Sequence, residues 1–511
     1  MRRRSRWHAN GLLDAMPAAL PAAIPAVLFA VLFAVILAAA AACDPAPNGN
    51  PAPGPDAETA PGATPPGRTA IDLLVLGGTV VTMNAERQVI VNGAVAVDDG
   101  TIIAVGPADE IAILYDPRRL IRPAAHDIVM PGIVNGHNHA AMTLLRGVAD
   151  DMRLMDWLEN YIFPAESTLV DPDFVSVGTQ LAVLEMIRTG TTTFADMYYY
   201  EDDVARVVAD AGLRGVLGET ILDMPTPDAA TVDEALAYTE RFLQNWANHP
   251  RITAAVAPHS PYTVGPETLR RTAALARRYG APLLIHLAET RDELQQIESR
   301  YGRTPVQYLE SIGFLGPDVL GAHSIWVNAA DIATLAERGV GLVHNPESNM
   351  KLASGTMPIG ALRDAGLNVG LGTDGAASNN DLDMFGAMLT TALLHKQMSE
   401  DPTAMPAAEV VALATIEGAR ALGMDEAIGS LEVGKHADLI VVDGEAANLV
   451  PRYDPYSHLV YAARGDNVKI SMVGGRVLFE AGAFTTLDAG AVIDAARAAA
   501  ERVREVVGRR P

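Results

Sequence analysis

The chain has 511 residues, 49% of them hydrophobic, and a formal net charge of -24 at pH 7. That length suits two or three domains with a large core, and so acidic a balance argues against nucleic acid as a partner, because phosphate recognition needs a basic face. Cys43 is the only cysteine, which excludes an internal disulfide, a thiolate zinc site and the His/Cys/Cys zinc-deaminase pattern, and leaves His and Asp/Glu to hold any metal.

Residues 1–43 read as an export signal. Arg2, Arg3, Arg4 and Arg6 form a positive start, residues 27–42 are apolar, and Ala40, Ala41 and Ala42 precede Cys43. A cysteine after small residues resembles a bacterial lipoprotein cleavage site. Cys43 is therefore the expected lipidation site, and the protein is expected in the bacterial cell envelope, held to a membrane by lipid and facing the periplasm or exterior. A simple cleaved signal and an uncleaved anchor helix are the alternatives. Residues 44–70 alternate proline with Gly, Ala, Asn and Thr and read as a flexible linker.

Residues 71–127 are short, Gly-bounded runs rich in β-branched residues, and residues 426–487 have the same texture. Both ends of the chain are expected to build one discontinuous β-sandwich. Between them, residues 128–425 alternate apolar strands with helical patterns. Eight strands are expected, at 128–134, 191–195, 215–218, 252–257, 282–285, 319–322, 340–343 and 369–372, with helices such as 173–189 and 266–279 between them. Eight such units imply a (β/α)8 TIM-like barrel, whose chemistry sits at the C-terminal ends of its strands. Residues 488–511 are alanine-rich with charges at helical spacing and read as a C-terminal helix.

The first barrel strand is expected to break at Asn135-Gly136 and then to present His137 and His139. In extended chain, positions i and i+2 face one side, so the two imidazoles can share one divalent ion. The other strand ends carry Asp196, Glu219, His259, His286, His323, His344 and Asp374. A ring of such groups is hard to attribute to packing, because each would need a buried partner. Glu289 on spacing alone serves equally as a solvated acid at a helix start, and His259 as a polar loop residue. His344 reads as structural, Asp196 and Glu219 as structural or supporting acids, and His8, His126, His249, His395, His436 and His458 as ordinary.

The stretch 131–166, the segment Ile285-His286-Leu287-Ala288-Glu289-Thr290, Ala322-His323, the run His344-Asn345-Pro346-Glu347-Ser348-Asn349 and Gly372-Thr373-Asp374-Gly375 together resemble the amidohydrolase superfamily. Within it they are most similar to the 5′-methylthioadenosine/S-adenosylhomocysteine deaminases and the related chlorohydrolases. The resemblance implies that His137, His139, His286 and Asp374 hold one Zn2+ per subunit. It also implies that Glu289 protonates the ring nitrogen of a small heterocyclic substrate, and that His323 orients the attacking hydroxide. Asp374 then carries a proton to departing ammonia. Glu166 is expected at the ribose hydroxyls, with His259 a further substrate contact. The donor set also suits Fe2+ and Mn2+. No lysine follows strand four, which favours a single metal.

The chain departs from the family at strand three. Some members clamp a homocysteine carboxylate there with arginines, but residues 219–225 contain none and the nearest is Arg214. The expected reaction is hydrolytic deamination of an adenine-type nucleoside or a related amino-heterocycle. The rival on the same site is removal of chloride or an alkylamine from an aromatic ring. A silent barrel serving as a binding lipoprotein is disfavoured by the complete set of ionisable groups. Oligomeric state is not legible in the chain.

Overall fold

The computed structural model describes residues 67–507; the expected export signal, Cys43 and nearly all of the expected linker lie outside the described residues. The first strand, Thr69–Leu76, takes up the last two residues assigned to that linker. It pairs with Gly93–Asp98 and Tyr115–Ile121 in a four-stranded sheet closed on its other edge by Thr101–Pro107.

A second, seven-stranded sheet draws on both ends of the chain. Leu439–Val442 pairs with Val468–Val473 on one side and with Ile128–Pro131 on the other. Leu73, Val75 and Val95 of the first sheet share a buried cluster with Val129, Leu439, Val441 and Met472 of the second. Strands whose alternate residues are apolar must bury that face, and two such sheets do so against one another.

Eight parallel strands form the barrel: Ile133–Asn138, Thr191–Tyr198, Arg214–Ile221, Ile252–Pro258, Leu283–Leu287, Val319–His323, Gly341–His344 and Val369–Leu371. The seam between the first and last is closed near the site. Asp374 N donates to the His137 carbonyl at 3.0 Å. Asn135 Nδ2 donates to Thr373 Oγ1 at 2.7 Å and Asn135 Oδ1 accepts from Thr373 N at 3.0 Å.

The expected strand 128–134 is in fact two. Ile128–Pro131 belongs to the seven-stranded sheet, and the barrel strand starts at Ile133. The switch falls on Gly132, where a Cβ would come within 2.1 Å of Thr192 Oγ1. An unbroken apolar run hides such a crossing, because both halves are buried. Nor does the chain turn at Asn135-Gly136. The strand runs on to Asn138, and Gly136 is there for close approach, since a Cβ would press on Val343 and the Leu371 carbonyl at 3.0–3.1 Å.

Arg214 sits at the opposite end of its strand from the site. Its guanidinium forms a buried pair with Asp438, Nε to Oδ2 3.0 Å, joining barrel to sandwich. The expected helices are observed at Pro172–Arg188 and Pro266–Tyr279, and the C-terminal one at Ala489–Val507. Asp171 caps the first of these by accepting from Phe174 N at 2.7 Å, with Pro172 at the first helical position. Among the described residues no helix is long and apolar enough to cross a membrane.

Candidate active site

His137 and His139 project from the first barrel strand, His286 from the fifth, His323 ends the sixth, and Asp374 follows the eighth. His323 and Asp374 adopt left-handed backbone, φ 72° and 63°, a strain that proteins keep where a side chain must be aimed.

Four donor atoms converge. His137 Nε2 and His139 Nε2 lie 3.5 and 3.2 Å from Asp374 Oδ1, and His139 Nε2 lies 3.3 Å from His286 Nε2. Ligands about 2.1 Å from a central ion in a tetrahedron stand about 3.4 Å apart. The outer ring nitrogens fix the tautomers. His139 Nδ1 donates to the Met197 carbonyl at 2.6 Å and His286 Nδ1 to the His259 carbonyl at 2.8 Å. Their Nε2 lone pairs therefore face inward and repel one another unless a cation lies between them. His137 Nε2 is buried with no hydrogen-bond partner. This donor set fits one divalent metal ion.

The protonation pattern agrees. Burial holds His137 and His286 well below the usual imidazole value, hence neutral. Burial also opposes the charge on Asp374, but His139, His137 and His323 outweigh it and keep the carboxylate ionised. Burial lowers His139 too, yet the adjoining Asp374 raises it to about 9. With protein groups alone the site thus holds a proton where a metal would take its place.

Around this floor stand His323 and Glu289. His323 Nε2 is 3.9 Å from Glu289 Oε2 and 3.9 Å from Asp374 Oδ2. Those lengths are too long for direct bonds, and the three groups face a common point. Glu289 is no solvated helix-start acid. It is buried, it precedes Thr290, which caps the helix Arg291–Tyr301, and burial raises its pKa. The Glu293 carboxylate pins its loop, accepting from Ala288 N at 2.9 Å and Glu289 N at 2.8 Å.

Glu166 and His259 line the same cavity as His139, His286, His323, Glu289 and Asp374. Glu166 accepts from the Tyr198 hydroxyl at 2.8 Å, and burial, only partly offset by that bond, raises it to about 7. His259 Nδ1 meets Thr263 Oγ1 at 3.0 Å and Ser260 Oγ at 3.2 Å. A hydroxyl donating there leaves the ring proton on Nε2.

Several residues here were given no role by the sequence. Ser348 Oγ donates to Asp374 Oδ2 at 2.7 Å, and its neighbour Asn349 accepts from His323 Nδ1 at 2.8 Å. One short helix, Pro346–Lys351, therefore steadies two groups of the floor. Tyr198 and Glu293 were likewise unmarked. Asp196 accepts from Ala140 N at 2.7 Å and Glu219 from Glu201 N at 3.0 Å, so both brace backbone behind the site. His344 is buried, and His395, unremarkable in sequence, packs on it with Nε2 atoms 3.1 Å apart.

Comparison with known proteins accords with this geometry. The chain is 48% identical over 438 residues to a 5-methylthioadenosine/S-adenosylhomocysteine deaminase of Syntrophobacter fumaroxidans, covering 86% of this chain and 100% of the relative. It is 45% identical over 434 residues to a 5′-deoxyadenosine deaminase of Methanosarcina barkeri, covering 84% and 98%. A crystal structure of a zinc-bound adenosine deaminase from Xanthomonas campestris superposes with a TM-score of 0.84 at 40% identity, covering 86% of this chain and 100% of that one. Residues 128–478 match the model of the amidohydrolase family. The chain belongs to the amidohydrolase family.

Proposed function

We propose that the protein is a zinc-dependent hydrolase that removes the amino group of an adenine-type nucleoside as ammonia. The observation that carries this is the convergence of His137, His139, His286 and Asp374 with Glu289 and His323 at one end of the cavity. The printed names of the three relatives described above, each a deaminase of an adenosine-like nucleoside, support the same reading. Bound at those four residues, zinc supplies hydroxide near neutral pH by acidifying water.

The protein groups do the rest. Glu289, kept protonated more readily by burial, gives its proton to the ring nitrogen beside the amino-bearing carbon, which makes that carbon electrophilic. His323 Nε2 holds the attacking water in line. Oxygen bonds to carbon and the carbon–nitrogen bond breaks; one proton of the water reaches the leaving ammonia through Asp374, and the other, lost as the new hydroxyl becomes a carbonyl, returns to Glu289. Glu166 holds the ribose hydroxyls and His259 the ring.

The test is ammonia release from zinc-loaded protein offered adenosine, 5′-methylthioadenosine, S-adenosylhomocysteine, adenine, guanine, cytosine and an aminated triazine. Turnover of the adenosines, lost in Asp374→Asn, is the expected result. Silence on all of them from metal-loaded protein would overturn the reading.

Cys43 as the lipid-anchored residue of an exported enzyme is also our proposal. Its support is the apolar stretch and small residues before the chain's single cysteine. Cells fed a labelled fatty acid should yield labelled protein, and Cys43→Ser should abolish both label and membrane retention.

A further inference from the structure

The short helix Pro346–Lys351 carries two supports of the metal floor, Ser348 for Asp374 and Asn349 for His323. So short a helix has little stability of its own, so its place must be fixed from outside. Glu347, beside Ser348, reaches other segments. Its Oε2 accepts from Asn379 Nδ2 at 3.3 Å and its Oε1 from Thr390 Oγ1 at 3.1 Å. Asn379 belongs to the turn that follows Asp374, where its N donates to the Gly375 carbonyl at 3.0 Å. Thr390 lies on the long helix Met384–Ser399. One carboxyl thus ties the segment after strand seven to two segments after strand eight.

The contact is directional. Asn379 Nδ2 also donates to the Asp381 carbonyl at 3.2 Å. The amide cannot turn over without setting its oxygen against that carbonyl, so Glu347 Oε2 must be an acceptor. The long helix comes close at Gly386, where a Cβ would stand 3.0 Å from Glu347 Oε1. Among the described residues the charged groups acting on this carboxyl are Asp381 and Asp383, and burial with those acids raises it to about 7. The helix's own cation, Lys351, is engaged by Asp150 and Asn380. With no cation to pair with, Glu347 supplies an acceptor at a fixed place rather than a charge.

From this arrangement we infer that Glu347 is a positioning residue of the active site. By holding Asn379 and Thr390 together it sets the helix Pro346–Lys351, and through Ser348 and Asn349 it aims Asp374 and His323. Its effect on turnover rests on the deaminase reading above, whereas its effect on metal binding does not.

The experiment compares Glu347→Ala and Glu347→Gln in the full-length protein. Zinc affinity is read by competition with a chelator, and kcat and KM with 5′-methylthioadenosine. Glu347→Ala should weaken zinc by about 10-fold and lower kcat by about 10–100-fold with little change in KM, the scale of lost outer partners of a metal site. Glu347→Gln can turn its oxygen to Asn379 and its amide to Thr390, and should restore most of both losses. In an Asn349→Ala background Glu347→Ala should lower kcat by less than it does alone, because part of the same route is already cut. Thr390→Val removes one of the two bonds and should weaken zinc in the same direction. Unchanged zinc affinity in Glu347→Ala, or in Thr390→Val where the alanine variant does not fold, would overturn the inference. So would a loss in Glu347→Gln as large as in Glu347→Ala, or full additivity with Asn349→Ala. Absence of turnover in the unaltered protein would overturn the deaminase reading, and zinc affinity would still decide the inference.

Discussion

The floor of the cavity and its helical wall are built on opposite principles. On the floor four of the converging side chains are held by a further group: His139 by Met197, His286 by His259, Asp374 by Ser348 and Gly375, His323 by Asn349. These groups sit on strand ends, which the barrel holds rigidly. The wall, residues 154–169, lines the cavity through Leu154, Leu158, Ile162 and Glu166. It is apolar there except for Glu166, lies between strands one and two, and departs from regular helix at Leu158–Ile162. Chemistry that depends on a few tenths of an ångström is placed on the rigid frame. The apolar lining is placed on a connecting segment, where residues change without disturbing the frame.

The largest break in that comparison should come from the floor. On the function proposed above, Asp374→Asn removes a metal ligand and a proton carrier together and should lower kcat by on the order of 10³-fold or more. Metal content, measured on the same sample, should fall as well. Glu289→Gln separates the two roles. It should keep the metal while lowering kcat by about 10²–10⁴-fold, the usual contribution of a positioned acid.

A smaller loss should follow from the supports. Asn349→Ala removes the acceptor of His323 Nδ1 and, by analogy with the outer partners of metal-ligating histidines, should cost about 10–100-fold in kcat. KM should change little, whereas wall substitutions such as Leu158→Ala should act on KM. The same split in both regions would erase the distinction between them.

The mildest probe is pH. Glu166, raised to about 7 by burial, accepts ribose hydroxyls best when ionised, because one oxygen already accepts from Tyr198 and protonation turns an oxygen into a donor. Above that pH it is a carboxylate, and below it takes up a proton and loses acceptor capacity. KM for nucleosides should therefore rise as pH falls, by about 10-fold between pH 8 and 6 for a single group of that pKa. Free adenine, which lacks ribose, should not share that limb. Tyr198→Phe removes the donor that favours the ionised form and should move the limb to higher pH.

Much of the floor was legible in the chain because strand ends repeat a simple pattern. An apolar run followed by a histidine or aspartate marks a strand and its mouth, and His137 and His139 share a face because side chains alternate along a strand. Glu289 was not legible from spacing. Its burial depends on Glu293 folding back to its loop, a contact no periodicity announces. Ser348 and Asn349 lie in a six-residue helix, too short to show a hydrophobic pattern, so their partners appear only in three dimensions. The wall was hidden for another reason. Residues at intervals of four read as an ordinary buried helix face, and nothing local reveals a π turn. The split at Gly132 was concealed by an apolar stretch buried on both sides of it.

The most direct test of the central claim is turnover of 5′-methylthioadenosine by the zinc-loaded protein in ¹⁸O-water. Product mass and ammonia would be measured together. The account predicts one ¹⁸O in each purine product and one ammonia for each molecule consumed, with neither formed by Asp374→Asn. Product carrying no label, or substrate consumed without ammonia, would contradict it.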